Sequence, residues 1–475
     1  VTLETRFLAE HAFSRAAGAP LVAGNRVRLL RDAGENYPAW LDAISAARKY
    51  VHFEMYIFAD DEAGARFGAA FAAKAREGVS VRIAYDWMGA LGKSSRRQWR
   101  GLAQAGVEAR AYNPPRLAEP LGWLSRDHRK CLVVDGQVAF VTGLCVARSW
   151  EGRPARAVHP WRDTGVEVRG PAVADVARAF ADTWAACGPP LPASEIVSAK
   201  DLANDGKVAL RVVATTSGTA GLLRLDTLVA ALARRNLWLA DAYYAGTSAY
   251  VQALRAAARD GVDVRLMVPG RGSDIAIMQA VSRAGYRPLL EAGIRVFEWN
   301  GPMMHAKTAV ADAHWARVGS TNLNLASWIA NRELDVVIED DAFGREMEAQ
   351  YLSDLENTTE VVLNQRLRVR AAGDVRARRT RGAGGSAGRA AAGAIRIGHV
   401  LGSAITARRL LGPAERRLTL PAGLALLLVA ALGIVFPRVL AWPLAAFCLW
   451  LGVALLYRGS PGRDRAGPRS RGPSA

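Results

Sequence analysis

The chain has 475 residues, 51% of them hydrophobic and 22% charged, with a formal net charge of +18. Room for about three domains and ample apolar material exclude a lone small binding module and a chain disordered throughout. The charge says less than it first suggests: 19 arginines and three acids lie from Gln365 onward, so about +16 belongs to that tail and about +2 to the rest, which speaks against nucleic acid as a partner of the body.

Residues 1–24 read as an N-terminal extension. No basic start there leads into an apolar run, so no signal peptide is expected and the body is expected to stay in the cytoplasm. Beyond it the chain repeats itself: "AREGVSVRI" at residues 75–83 returns as "ARDGVDVRL" at 258–266, an offset of 183. Upstream, Glu54-Met55-Tyr56 closes an apolar stretch as Asp241-Ala242-Tyr243 closes another. Downstream, "AQAGVEARAY" is echoed by "LEAGIRVFEW". Each half reads as strand, Ala-rich helix, strand, helix, strand, because short β-branched runs follow 3.6-period stretches and Gly turns separate them. Two α/β domains follow, 25–200 and 201–364.

Residues 365–417 turn to Arg, Gly and Ala and read as a basic linker, in which Ile397, Leu401 and Ile405 mark one face of an amphipathic helix suited to a membrane surface. Two uncharged apolar runs of 19 residues, 418–436 and 439–457, meet at Pro437-Arg438. Each would span about 28 Å as a helix, close to the hydrocarbon thickness, so 418–457 is expected to be a transmembrane hairpin. Arginines crowd both of its ends, which puts them in the cytoplasm by the positive-inside bias, and 458–475 is a basic, disordered tail. The four cysteines, Cys131, Cys145, Cys187 and Cys448, are too widely spaced for a CxxC metal pair and read as reduced thiols.

The chemistry lies in a string that occurs twice: His128-Arg-Lys130 with Asp135, and His305-Ala-Lys307 with Asp312, both H-x-K-x4-D. One copy would be weak, but two at equivalent places of a repeat are a strong signal. Alternation in "HRKCLVVDG" and "HAKTAVADA" puts each His and Lys on one strand face. After the second copy comes Gly319-Ser320-Thr321-Asn322, with Ser320 and Asn322 as phosphate-binding candidates. Asp163 in "WRDT" and Glu333 in "NRE" each follow an Arg and open an alternating apolar strand. The alternative is that, as strand-end acids, they are plain salt-bridge partners of Arg162 and Arg332.

This arrangement resembles the phospholipase D superfamily, and more narrowly the bacterial cardiolipin synthases. The phrases that carry the likeness are "EMYIFADDEAG", "RDHRKCLVVDGQVAF", "WRDTGVEVRGPAV", "MHAKTAVADAHWARVGSTNLN" and "NRELDVVIEDDAFGREME". The resemblance covers roughly residues 25–360 and implies two tandem α/β/α domains related by a pseudo-twofold axis. It also implies that Asp163 and Glu333 hydrogen-bond the catalytic imidazoles, and that His128 is the nucleophile and His305 the general acid. The residues support phosphodiester chemistry in their own right. One neutral imidazole can attack phosphorus to form a phosphohistidine while a second, protonated one serves the leaving oxygen. Lys130, Lys307 and Asn322 can hold the non-bridging oxygens, so neither a metal nor another cofactor is expected. Asp135 and Asp312 complete the motif but read as braces for the loop.

One departure stands out: Thr142-Gly143-Leu144-Cys145 puts a thiol where the second half has Asn322, and a thiol is a poor donor to phosphate. The expected function is a phosphatidyl transferase at the inner membrane, body on the cytoplasmic side, joining two phosphatidylglycerol molecules into cardiolipin and glycerol. A phospholipase D using water, a nuclease of the same superfamily and a non-catalytic membrane scaffold remain as alternatives. The sequence leaves the oligomeric state open.

Overall fold

The computed structural model describes residues 11–115, 125–153, 158–363, 369–371, 427–428, 434–435, 442, 445–450 and 452–453. The chain divides into two compact units, one of residues 1–112 with 125–415 and one of 113–124 with 416–475. In the second unit the described residues from 427 onward are short helical pieces with Leu427, Ile434 and Trp442 exposed. Among the described residues no helix is long and apolar enough to cross a membrane. The expected linker helix lies outside the described residues, as does most of the hairpin at 418–457.

Both halves of the repeat lie in the first unit. The first half carries β1 (Val22–Arg31), β2 (Tyr50–Met55), β3 (Ser80–Asp86), β4 (Glu108–Tyr112), β5 (Cys131–Val134), β6 (Val138–Thr142) and β7 (Thr164–Arg169). The second carries β8 (Val208–Thr215), β9 (Asn236–Ala240), β10 (Asp263–Pro269), β11 (Arg295–Trp299), β12 (Thr308–Ala311), β13 (Trp315–Gly319) and β14 (Glu333–Glu339). Outward from the centre the order is β1-β7-β6-β5-β2-β3-β4 on one side and β8-β14-β13-β12-β9-β10-β11 on the other. Strand for strand the two orders correspond. β1 and β8 pair antiparallel at the middle, so a pseudo-twofold axis passes between them and one sheet runs through both halves. β15 (Thr358–Leu363) and β16 (Val369–Ala371) extend the second half's edge.

Within each half, β2-β3-β4 and β9-β10-β11 are parallel and are joined by helical crossovers such as Glu62–Arg76 and Ser248–Arg259. This is the strand-helix alternation that the repeated phrases predict. The remaining strands are antiparallel meanders. Their hairpins turn at Asp135-Gly136, with φ of +53° and +67°, and at Asp312-Ala313, with φ of +55° and +53°, left-handed pairs inside three-residue loops that the Gln137 and His314 amides close on the Val134 and Ala311 carbonyls.

The core crosses from one half to the other. Helix Val173–Cys187 buries Val176, Phe180 and Trp184 in a cluster that includes Val166 and Val168 of β7, Leu210 of β8, and Val336 and Ile338 of β14. Arg129, also buried, reinforces this junction. Its guanidinium donates to the carbonyls of Glu333, Ala179 and Thr215 at 3.2, 2.7 and 2.9 Å. A buried cation spent on carbonyls from separate elements fixes them against one another, because releasing any one strands a polar group out of water.

Candidate active site

β5 and β12 begin only at Cys131 and Thr308, so the two His-Lys pairs stand in the extended segments just before them. Those segments are occupied in pairing with the opposite half. The amide of His128 donates to the Arg332 carbonyl at 2.9 Å and that of Arg332 to Arg126 at 2.8 Å; His305 donates to Arg162 at 2.7 Å and Arg162 to Met303 at 2.8 Å. Each crossing sets a histidine beside the residue that follows an arginine of the other half.

The acids are therefore exchanged. His128 Nδ1 lies 2.8 Å from Glu333 Oε2, and His305 Nδ1 lies 2.7 Å from Asp163 Oδ2. Glu333 also accepts from the Ser320 hydroxyl at 2.7 Å and the Asn331 amide at 3.1 Å. Asp163 accepts from the Trp150 indole at 2.9 Å and the Thr164 backbone amide at 2.8 Å. The salt-bridge alternative does not describe Asp163, since the Arg162 side chain pairs with Asp354 and Asp32. Gly143 leaves the room that one of these acids needs: a Cβ there would stand 2.2 Å from Asp163 Oδ1.

Both lysines are buried, each with its ammonium on the carbonyl of the histidine two residues before it. Lys307 Nζ also lies 2.9 and 3.1 Å from the two ring nitrogens of His305. Burial, together with Lys130, pushes Lys307 down to about 8 despite Asp163. Burial, then Lys307, pushes His305 down to about 4. Burial would raise Asp163, but His305, Lys307 and the Trp150 indole outweigh it and hold the carboxyl below its usual range. Glu333 goes the other way: burial raises it more than Lys130 and its hydrogen bonds lower it. The two acid-imidazole pairs are alike in geometry and unlike in charge balance.

Asn322 is buried, and its side-chain oxygen finds no partner among the described residues; it is the NH2 of that amide that can donate to a phosphate oxygen. Cys145 is likewise buried, and burial raises its thiol, so it stays neutral. Asp135 and Asp312 stand apart from the imidazoles. Asp135 takes the backbone amides of Arg48, Lys49 and Tyr50, each at 2.8 Å, and Asp312 those of Arg234, Arg235 and Asn236 at 2.7–3.2 Å. Each sits at the far end of its strand, seven residues and up to roughly 23 Å from the motif histidine. Both carboxylates thus hold the backbone that enters β2 and β9, away from the imidazoles.

Several neighbours were not singled out from the sequence as site residues. The Tyr56 ring packs edge-on against His128 at 4.8 Å and under Lys130 at 5.2 Å, and Tyr243 repeats this with His305 at 5.9 Å and Lys307 at 5.8 Å. The signal was present, because these tyrosines close the repeated phrases. Trp150 and Trp161 have rings 5.1 and 5.8 Å from His305; Trp161 has no counterpart in the second half's string, and Trp328, which answers to Trp150, turns its indole to Asp226 instead. Only folding brings Trp150 and Trp161 in. The whole can hold one phosphate between two ammonium groups, with an imidazole on either side and a carboxylate behind each.

A family model for the PLD-like domain of cardiolipin synthase matches residues 40–149 and 229–355. The chain is 30% identical over 348 residues to a cardiolipin synthase of Alkalihalophilus pseudofirmus, covering 72% of this chain and 68% of the relative. It is 33% identical over 364 residues to cardiolipin synthase A of Pseudomonas aeruginosa, covering 76% and 73%. In fold it is similar to the phosphatidylserine synthase of Haemophilus influenzae, with a TM-score of 0.56 at 14% identity over 74% of this chain and 92% of that one.

Proposed function

Because the chain belongs to the phospholipase D-like cardiolipin synthase family, we propose that it joins two phosphatidylglycerol molecules into cardiolipin and glycerol through a phosphohistidine. The observation that carries this reading is the pair of His-Lys sets converging from two halves, each imidazole oriented by the other half's acid. Phosphatidylglycerol binds with its phosphate between Lys130 and Lys307, near the Asn322 amide. Nε2 of His128 attacks phosphorus, the bond from phosphorus to the glycerol headgroup breaks, and His305 gives that oxygen its proton. A headgroup hydroxyl of a second phosphatidylglycerol then attacks, losing its proton to His305 as the P–N bond breaks. The order of the histidines rests on family likeness. Burial first and Lys307 second hold His305 down; a phosphate beside Lys307 would offset the second and raise the proton affinity of His305, as a general acid there requires.

The tail completes the reading: uncharged runs at 418–436 and 439–457 suit a hairpin in the inner membrane, and the flanking arginines suit a cytoplasmic body beside anionic headgroups. The small charge of the body supports a lipid substrate over a polyanion. Incubating the purified full chain with phosphatidylglycerol and resolving the products tests the proposal. Cardiolipin and glycerol are expected; phosphatidic acid in their place would make the protein a hydrolase, and no turnover would make it a scaffold. With an activated substrate, His305→Ala should accumulate an adduct on His128.

A further inference from the structure

Resting on the phosphatidyl-transfer reading, we infer that the rim formed by Leu325, Ile329 and the Leu91 loop is a docking surface for an anionic phospholipid bilayer, built into the catalytic body itself. Leu325 and Ile329 are 51% and 39% exposed. Leu325 precedes and Ile329 belongs to the short helical turn Ala326–Ala330, whose Ser327 and Trp328 are buried. Four residues apart on such a turn, the two aliphatic side chains share its outer side.

This turn is tied to the site at both ends. Three residues before Leu325 stands Asn322, and the Asn324 amide donates to the Tyr243 carbonyl at 2.9 Å, where Tyr243 packs on His305. Beyond Ile329, Asn331 holds Glu333, the partner of His128. Across the pseudo-twofold, Leu91 is 48% exposed in the loop after β3. In that loop Gly89 approaches Tyr56 so closely that a Cβ would lie 2.1 Å from its carbonyl oxygen. Exposed aliphatic groups therefore stand on segments that touch the packing partner of each imidazole. Other exposed large apolar side chains of the described body, such as Ile196, Leu232 and Leu352, stand on other elements of the chain.

The chemistry of the substrate selects a bilayer as the occupant. A phosphodiester sits at headgroup depth while its acyl chains stay in hydrocarbon, so the rim around the site must meet the boundary between the two. Aliphatic side chains that enter it about 5–10 Å, accompanied by cations, are what such a boundary accepts. Exposed Lys93 and Arg271 supply the charge, from the Leu91 loop and the loop after β10. If water alone met positions 325 and 329, polar residues would serve as well there.

The test uses the full chain with Cys187→Ser and Cys448→Ser, carrying a single environment-sensitive fluorophore on Leu325→Cys, Ile329→Cys or, as a control, Leu352→Cys. In vesicles of phosphatidylglycerol and phosphatidylcholine, the probes at 325 and 329 should shift to the blue and be quenched by shallow nitroxide lipids, and the probe at 352 should not. Unquenched probes at 325 and 329 overturn the inference. In parallel, Leu325→Asp with Ile329→Asp should lower turnover of vesicular phosphatidylglycerol at least tenfold and leave a short-chain, monomeric phosphatidylglycerol within twofold. Equal losses on both substrates would make the pair merely structural and would also overturn it. The probes read docking without catalysis, so a protein that docks but makes no cardiolipin refutes the proposed reaction and not the surface.

Discussion

Asparagine at position 163 keeps the shape of the side chain and removes its charge, so it isolates what the carboxylate does for His305. Oδ2 accepts from His305 at 2.7 Å and from Trp150 at 2.9 Å, while Oδ1 accepts from the Thr164 amide at 2.8 Å. All three partners donate, so the amide's NH2 must face a donor wherever it turns. One buried N–H is left unpaired, at a cost of roughly 1–3 kcal/mol. If the NH2 faces His305, the imidazole changes tautomer, and losing the orienting carboxylate should lower kcat by about 10²- to 10⁴-fold. The sign with pH follows from the depressed carboxyl of Asp163. Its stabilisation is fully present above the ordinary value of 3.8 and is lost as pH falls through the lower folded value. The variant's deficit should therefore be complete at neutral pH and fade only in strong acid. A double-mutant cycle read by unfolding of the full chain in detergent separates the two pairings: Asp163→Asn should couple to His305→Ala by about 1 kcal/mol or more, and to His128→Ala by close to nothing. Coupling to His128 alone, or an asparagine variant with wild-type rate and pH profile, would refute the crosswise arrangement.

Lys307→Met should raise the pKa of His305 above its present value of about 4, because one of the charges holding it down is gone; histidine ring NMR across pH reads this directly, and an unchanged titration would exonerate the lysine. Glu333→Gln should shift one limb of a bell-shaped pH profile while leaving membrane partition intact, and an unaltered profile would reduce Glu333 to a structural role. Since Lys130, Lys307 and Asn322 are the proposed holders of phosphate charge, EDTA should leave turnover unchanged; loss restored by Mg²⁺ would contradict the mechanism. Burial raises the thiols of Cys131 and Cys145, so iodoacetamide at pH 8 should leave both unmodified by mass spectrometry and activity intact.

The sequence by itself determined the repeat, the alternation of parallel strands with helices, and both His-Lys pairs, because these follow from local periodicity and from a motif written twice within short windows. It also marked Asp163, Glu333 and Asn322, and through the repeated Tyr56 and Tyr243 it marked the rings under the lysines. It could not show which acid serves which histidine. Counting along the chain associates Asp163 with His128 and Glu333 with His305, but the segments before β5 and β12 hydrogen-bond to the opposite half, and that exchange reverses the partners. Nor could it show that Asp135 and Asp312 hold the backbone entering β2 and β9, a full strand away from the chemistry. The unlike charge balance of the two pairs was hidden as well, since burial and the approach of Lys307 to His305 decide it and neither has a signature in spacing. Local order is written in neighbouring residues; the site's pairing and its electrostatics arise only where two distant halves exclude water together.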